Sequence, residues 1–360
     1  VSTTCLTKAG HKPAFYCLRY FRLKPPCYAG ARLPLGCANH SREDKMSNHN
    51  ATTGQPTLVS GAHLLALPQA PLRDQIDQFS GIVYAQIADG RTVRQLEMSL
   101  LVPRNSTPKP AIIFFPGGGF LSAHHDRFLE LRFALAQLGF VVASAEYRVL
   151  PDRYPAPVQD CKAAVRYLRA HAADYGIDGS RIGVIGSSAG GYMVQMLGLT
   201  GGDPFFEKGA CPEQSSAVQA VASLYGISSL LDIGEGLGER GQAAHASPAS
   251  PEALLVHGQA FGERSGLSIQ ADPQRAIACS PMGHLEGAKP PFLIMHGTAD
   301  ELVPAVQSQR LYSELVSRGN QADCYLLDGA GHGDLYWFQP AVIELITDWF
   351  CRALRLPSAG

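Results

Sequence analysis

The chain is poor in charge. Only 17% of its 360 residues are Asp, Glu, Lys or Arg, and 30 basic side chains against 31 acidic ones leave a formal charge of −1. A whole-surface footprint for nucleic acid or anionic lipid is therefore not expected. No transmembrane segment is recognisable, and in the first fifty residues a charge or a proline interrupts every apolar run. The basic start, apolar stretch and small-residue cleavage site of a secretory signal are missing there as well, so the compartment is left unassigned with the cytoplasm slightly favoured. No H-E-x-x-H, close Cys/His set, calcium loop or dinucleotide fingerprint occurs, and neither a metal nor an organic cofactor is expected. Internal repeats are absent too. What is abundant is apolar residues, at 46%, punctuated by 37 glycines and 25 prolines. That excludes a coiled coil, a collagen-like fibre and a wholly disordered chain, and leaves one large domain or two ordinary ones.

The near-neutral total is a cancellation. Residues 1–50 carry eight Lys or Arg against Glu43 and Asp44, a net +6, so the other 310 residues carry −7. Four of the nine cysteines (Cys5, Cys17, Cys27, Cys37) lie in the same stretch, too widely spaced for a zinc site. Residues 1–70 are expected to be a basic leader, disordered or loosely packed, with an arm packed on the domain or a partner, or a targeting role, as alternatives. Met46 is a candidate start of the natural reading frame. The other five cysteines are scattered, and nothing in their spacing demands or excludes a disulfide.

From about residue 72 the pattern becomes regular. GIVYAQIADG (81–90) and VRQLEMSLLVP (93–103) read as a hairpin around Ala88–Asp89–Gly90. Buried strands are expected at 111–115, 140–147, 181–186, 217–226, 291–297 and 324–329. Helices are expected at 128–139, 156–176, 189–199, roughly 304–318 and roughly 340–354. Alternating strands and helices of this length predict an α/β fold with a mainly parallel central sheet flanked by helices. Residues 227–290 show only weak helical periodicity, near 251–262 and 271–279, and are read as a cap-like segment inserted above the sheet of a domain spanning 71–360.

Gly186-Ser187-Ser188-Ala189-Gly190 satisfies G-x-S-x-G where a strand gives way to a helix. Small residues on both sides of Ser188 permit a tight turn that lifts its hydroxyl clear, and the helix behind it offers free N–H groups. Ser187 is the local rival as nucleophile, and a glycine-rich packing turn is the plainer explanation. Pro116-Gly117-Gly118-Gly119-Phe120 follows the 111–115 strand. Its unobstructed N–H groups, with that of Ala189, suit an oxyanion. A phosphate loop or a merely structural turn are the alternatives.

A serine nucleophile needs an imidazole base and a carboxylate behind it. Asp300 follows the 291–297 strand and His332 follows the 324–329 strand, both at strand C-terminal ends where such sites collect. Asp334, Glu301 and Asp328 are rival acids and His296 a rival base. His296 ends a buried strand and suits a structural hydrogen bond better. Asp334 is too near His332 in sequence to reach the ring from behind. His124 and His125 are candidates for the mouth of a pocket, with loop packing the plainer role.

These motifs, in this order, resemble those of α/β-hydrolases of the hormone-sensitive-lipase-like and bacterial feruloyl-esterase-like carboxylesterase group, over roughly residues 78–353. The H-G-G-G-F/W loop of that group is matched by residues 116–120. Its tyrosine-arginine run and P-A-P-x-x-D stretch are matched by Tyr147-Arg148 and Pro155–Asp160, and its G-x-S-A-G-G elbow by residues 186–191. The resemblance implies a serine carboxylesterase acting on a small-molecule ester of a short-chain or aromatic acid. In it Ser188, His332 and Asp300 form the triad, and Gly118, Gly119 and Ala189 form the oxyanion hole. A serine peptidase or amidase on the same scaffold, and a non-catalytic ligand-binding homologue, are the other readings. The inserted segment is then expected to supply the substrate pocket, with Leu230, Leu231, Leu254, Leu255, Phe261 and Leu267 as candidate lining and packing on the sheet as the plainer role of each. Pro116 departs from the group, whose loop begins with histidine; proline offers neither an imidazole nor an N–H. A homodimer is compatible with all this but does not follow from it.

Overall fold

The computed structural model describes residues 74–263 and 265–354. The leader therefore lies outside the described residues. Eight strands form one sheet in the order β1-β2-β4-β3-β5-β6-β7-β8. The first two, β1 (Ile76–Asp89) and β2 (Thr92–Pro103), are an antiparallel hairpin whose turn falls at Gly90 and Arg91, with β1 beginning earlier than its apolar pattern announces. β2 then runs antiparallel to β4 (Val141–Ala145). All remaining pairs are parallel: β3 (Lys109–Phe115), β5 (Ile177–Ser187), β6 (Ala220–Leu224), β7 (Phe292–Gly297) and β8 (Ala322–Leu327).

Helices cover both faces, as parallel strands require. The alternation along β3 shows why its sequence is uniformly apolar. Ala111, Ile113 and Phe115 join a core with α2 (Ala156–Ala170) and α3 (Ala189–Leu199), whereas Ile112 and Phe114 face α1 (Leu129–Gln137) and the C-terminal helix Pro340–Leu354. Each large side chain buried this way contributes about 1.5–3 kcal/mol, so neither face can be made polar cheaply. The link from β4 to α2 is pinned by Arg148, which forks onto both carboxylate oxygens of Asp160 at 2.8 Å while its backbone N–H donates to one of them.

Between β6 and β7 the segment is more helical than its composition announces. It contains α4 (Glu239–His245), α5 (Pro251–His257) and α6 (Pro273–Ala278). α5 and α6 start as the sequence invites, with Ser250 and Asp272 accepting the N–H three residues on and a proline at the first helical position. α4 lacks a side-chain cap and an apolar stripe, so no periodicity marked it. Two further helices complete the set, α7 (Val306–Ser317) and α8, the Pro340–Leu354 helix already placed on the sheet. Among the described residues no helix is long and apolar enough to cross a membrane, and Cys161, Cys211, Cys279 and Cys324 are free thiols.

Candidate active site

The parallel strands deliver their C-terminal ends to one edge, and three of the following loops meet there. The first is the turn after β5. Ser188 stands between β5 and α3 at φ 55°, ψ −120°, a conformation that costs a non-glycine residue on the order of 1–3 kcal/mol. Its neighbours explain how this is held. A Cβ on Gly186 would overlap the Gly190 carbonyl, and one on Gly190 would overlap the carbonyl of Phe115 at the end of β3. Only glycine lets the strand and helix close to that distance. The Ser188 N–H donates to Leu224 O of β6 at 2.9 Å. The chain is thus clamped on both sides while its hydroxyl stands out.

The second and third loops bring partners to that hydroxyl. Ser188 Oγ is 2.8 Å from His332 Nε2, and His332 Nδ1 is 2.7 Å from Asp300 Oδ2. The other oxygen of Asp300 accepts the N–H groups of Leu302 and Val303, each at 2.9 Å. Burial alone would raise this carboxyl. Hydrogen bonds from His296 and His332, the attraction of the His332 ring in its protonated form and the Val303 N–H outweigh it and hold Asp300 well below the usual carboxylate range. With Nδ1–H fixed on a carboxylate, Nε2 faces the serine as an acceptor, the tautomer needed to take its proton.

The rivals sit elsewhere. His296 Nε2 meets Val303 O at 2.8 Å and Asp300 Oδ2 at 3.3 Å, while its Nδ1 meets Ser308 Oγ at 2.7 Å, so its ring braces the acid from behind. Asp334 accepts the N–H groups of Gly331 and Tyr336 at 2.6 and 3.0 Å and shapes the loop that carries His332. Asp328 accepts from the Thr298 hydroxyl, and Glu301 is exposed. Ser187 is buried, and its Oγ accepts the Gly117 N–H at 3.3 Å, tying the elbow to the glycine loop. His124 is exposed and the His125 ring faces Glu146; neither lines the cavity described below.

Gly118 and Gly119 adopt φ values of 153° and 59°, and a Cβ on Gly118 would strike Ser122. Ala189 opens α3, so its N–H has no intrahelical acceptor. The loop lacks the leading histidine but not a brace. The buried Tyr147 hydroxyl donates to the Pro116 carbonyl at 2.6 Å. An acceptor that proline retains thus holds the loop. Nothing in the motif announced this contact, because the two residues are far apart in the chain.

Ser188 and His332 open on a cavity of about 400 Å³, whose other walls include Gly117, Gly118, Gly119, Arg127, Phe128, Ser187, Tyr225, Leu302, Gly333 and Phe338. The inserted leucines and Phe261 are not among them. Leu230 and Leu255 are sealed in the core, and Phe261 is 88% exposed. The expectation that the segment after β6 lines the pocket with these residues is corrected accordingly. The aromatic wall comes from the crossover before α1 and from the short 3-10 turn Leu335–Phe338, where Phe128 and Phe338 stack 4.9 Å apart. Tyr225, at φ 39°, packs edge-on against His332 at 4.8 Å, and Trp337 packs on Tyr225 while donating Nε1–H to Gly331 O at 2.9 Å. Tyr225 falls inside the strand expected at 217–226, but the observed β6 ends at Leu224, which puts Tyr225 at the sheet edge with the other strand ends. Its place near the end of that apolar run is the signal that could have marked it. Among the described residues no group of three or more His, Cys, Asp or Glu is arranged to hold a metal ion.

The doubly covered, mostly parallel sheet with a strained Ser, a His and an Asp at its strand ends defines an α/β-hydrolase. A family model described as BD-FAE matches residues 98–315, and the chain belongs to that family. Among curated proteins it is similar to Esterase LipC of Mycobacterium tuberculosis, 32% identical over 234 residues that make up 63% of this chain and 53% of that protein. The chain spans about half the length of the first curated relatives it matches. Among solved structures it is similar to a truncated carbohydrate esterase from gut microbiota (TM-score 0.65, 25% identity, covering 79% of this chain and 98% of that one). A thermophilic esterase from Thermogutta terrifontis also matches (TM-score 0.60, 25% identity, covering 81% and 98%).

Proposed function

We propose that the protein hydrolyses small carboxylic esters by way of an acyl-enzyme on Ser188. The observation that carries this is the hydrogen-bonded line from Asp300 through His332 to the Ser188 hydroxyl, at 2.7 and 2.8 Å, ending in an open cavity. Ser188 Oγ attacks the ester carbonyl carbon while His332 Nε2 takes its proton. The oxyanion is met by the N–H groups of Gly118, Gly119 and Ala189, each such donor contributing about 3 kcal/mol to the transition state. Collapse of the intermediate breaks the C–O bond, and His332 returns the proton to the departing alcohol. His332 then deprotonates a water that attacks the acyl-enzyme, releasing the acid and restoring the serine. Asp300 remains ionised throughout and steadies the imidazolium.

Short acyl groups fit this reading. A cavity of about 400 Å³ is at the small end of the range for ligand sites, and the Thermogutta esterase is described with butyrate bound. Hydrolysis of 4-nitrophenyl esters of two to twelve carbons, feruloyl esters and matched anilides tests it, with Ser188→Ala as control. Turnover of the short esters, weak or no turnover of the anilides, and loss of the signal in the alanine variant are expected. Inertness to every ester, or full activity without the hydroxyl, overturns the proposal. Anilide turnover exceeding ester turnover turns the reading towards an amidase.

A further inference from the structure

Arg127 lies in the crossover between β3 and α1 and is exposed at the wall of the cavity that holds Ser188 and His332. Of the lining side chains it alone carries a permanent charge; the rest are glycine, serine, leucine, aromatic residues and His332. Several other arginines meet a carboxylate, as Arg148 does with Asp160 and Arg166 with Glu207, while Arg132, Arg153 and Arg169 are held by a serine hydroxyl or by backbone carbonyls. Among the described residues no carboxylate pairs with the Arg127 guanidinium. The acids nearby are committed elsewhere: Asp300 to His332 and two backbone N–H groups, Asp334 to Gly331 and Tyr336, and Asp126 faces the His125 ring at 3.8 Å. The charge does reach into the site. Burial raises the Tyr147 and Tyr225 phenols, and Arg127 is among the groups that pull both back.

A lone guanidinium on a largely apolar wall has little to offer a neutral ester. It offers a planar, two-pronged set of N–H donors to a carboxylate, and in a partly enclosed mouth that contact is stronger than in open water. Resting on the ester-hydrolase reading above, we infer that the substrate is an ester bearing a second, anionic group, a carboxylate set away from the scissile carbonyl and held by Arg127. Hydrolysis of such an ester consumes one water and leaves an acid and an alcohol, one of them carrying the extra carboxylate.

The test uses two pairs of esters matched in shape and differing in charge. Mono-4-nitrophenyl glutarate against 4-nitrophenyl valerate puts the charge on the acyl side. 4-Acetoxybenzoate against its methyl ester puts it on the alcohol side. The readout is the ratio of kcat/KM, anionic over neutral, in the full chain, after subtraction of the uncatalysed rate. For at least one pair this ratio should fall about tenfold in Arg127→Gln, further in Arg127→Glu, and recover largely in Arg127→Lys. Raising the salt concentration should lower the wild-type ratio and leave that of Arg127→Gln unchanged. A ratio constant within twofold across all variants and both pairs overturns the inference while leaving the ester reading intact. If the wild type turns over none of the four esters, calorimetric binding of glutarate decides the anion site: weaker binding to Arg127→Gln supports it, and equal or absent binding sinks it. The ester reading itself fails only when the whole ester panel above is also inert.

Discussion

Two loops meet at the Ser188 hydroxyl, and they are held by opposite means. The elbow after β5 is fixed by backbone packed against backbone, with Gly186 and Gly190 too close to their neighbours for any side chain. The loop after β8 is fixed by side chains: Asp334 takes the Gly331 N–H, Trp337 donates to the Gly331 carbonyl, and Tyr225 supports the His332 ring. A backbone clamp is all-or-none, because carbonyl oxygens of packed strands cannot yield. A side-chain brace is graded, because each contact contributes about 1 kcal/mol and can be lost singly.

The sharpest way to break this comparison is Gly190→Ala. Its Cβ must displace the Phe115 carbonyl, so the expected result is loss of turnover to background together with a fall of several kcal/mol in stability, read by denaturant unfolding. A folded, active variant would remove the distinction between the loops. Next is Asp300→Asn, expected to lower kcat about ten-thousandfold with the fold retained, since a carboxamide no longer selects the working tautomer of His332. The same variant carries a pH signature. The Asp300 carboxyl is depressed in the folded protein, so its stabilising contribution is present above the ordinary carboxylate range and is lost as pH falls through the depressed value. Acid unfolding of Asp300→Asn should lack that component.

Smaller effects distinguish the braces. Tyr147→Phe removes the donor to the Pro116 carbonyl and leaves a buried acceptor unmet, at a cost of about 1–3 kcal/mol, expected mostly in kcat if the glycine loop drifts. Loss in KM alone would show that Tyr147 only packs. Trp337→Phe keeps the ring against Tyr225 but loses the Gly331 hydrogen bond, and kcat should fall by about three- to tenfold with little change in unfolding. Equal losses from Trp337→Phe and Gly190→Ala would contradict the contrast between graded and all-or-none support.

The same contrast governs what could be read before the structure. Constraints imposed by glycine and by strand alternation are local, so the 111–115 strand, the 189–199 helix and the G-x-S-x-G turn stood out in the sequence. Asp300 and His332, which the structure brings to the Ser188 hydroxyl, stood out because each comes just after a strand that carries its own pattern. The braces were not, since Tyr147 on Pro116 and Trp337 on Tyr225 are contacts between distant or unpatterned positions. Leu230 and Leu255 show the limit from the other side: an apolar residue that seals a core looks the same in sequence as one that lines a pocket. Phe128 and Phe338, which do line it, are separated by most of the domain and meet only through the sheet edge. Helix α4 was hidden because its turns hold few apolar residues to repeat.

The central claim is that Ser188, activated by His332, is the atom that attacks. It is tested most directly by treating the protein with a fluorophosphonate, which bonds only to an activated serine, and mapping the adduct by peptide mass spectrometry. The account predicts one adduct per chain, on the peptide carrying Ser188, formed at a rate that collapses in His332→Ala, with ester turnover falling in step with labelling. An adduct on Ser187 or any other serine, or full turnover after Ser188 is blocked, would contradict it.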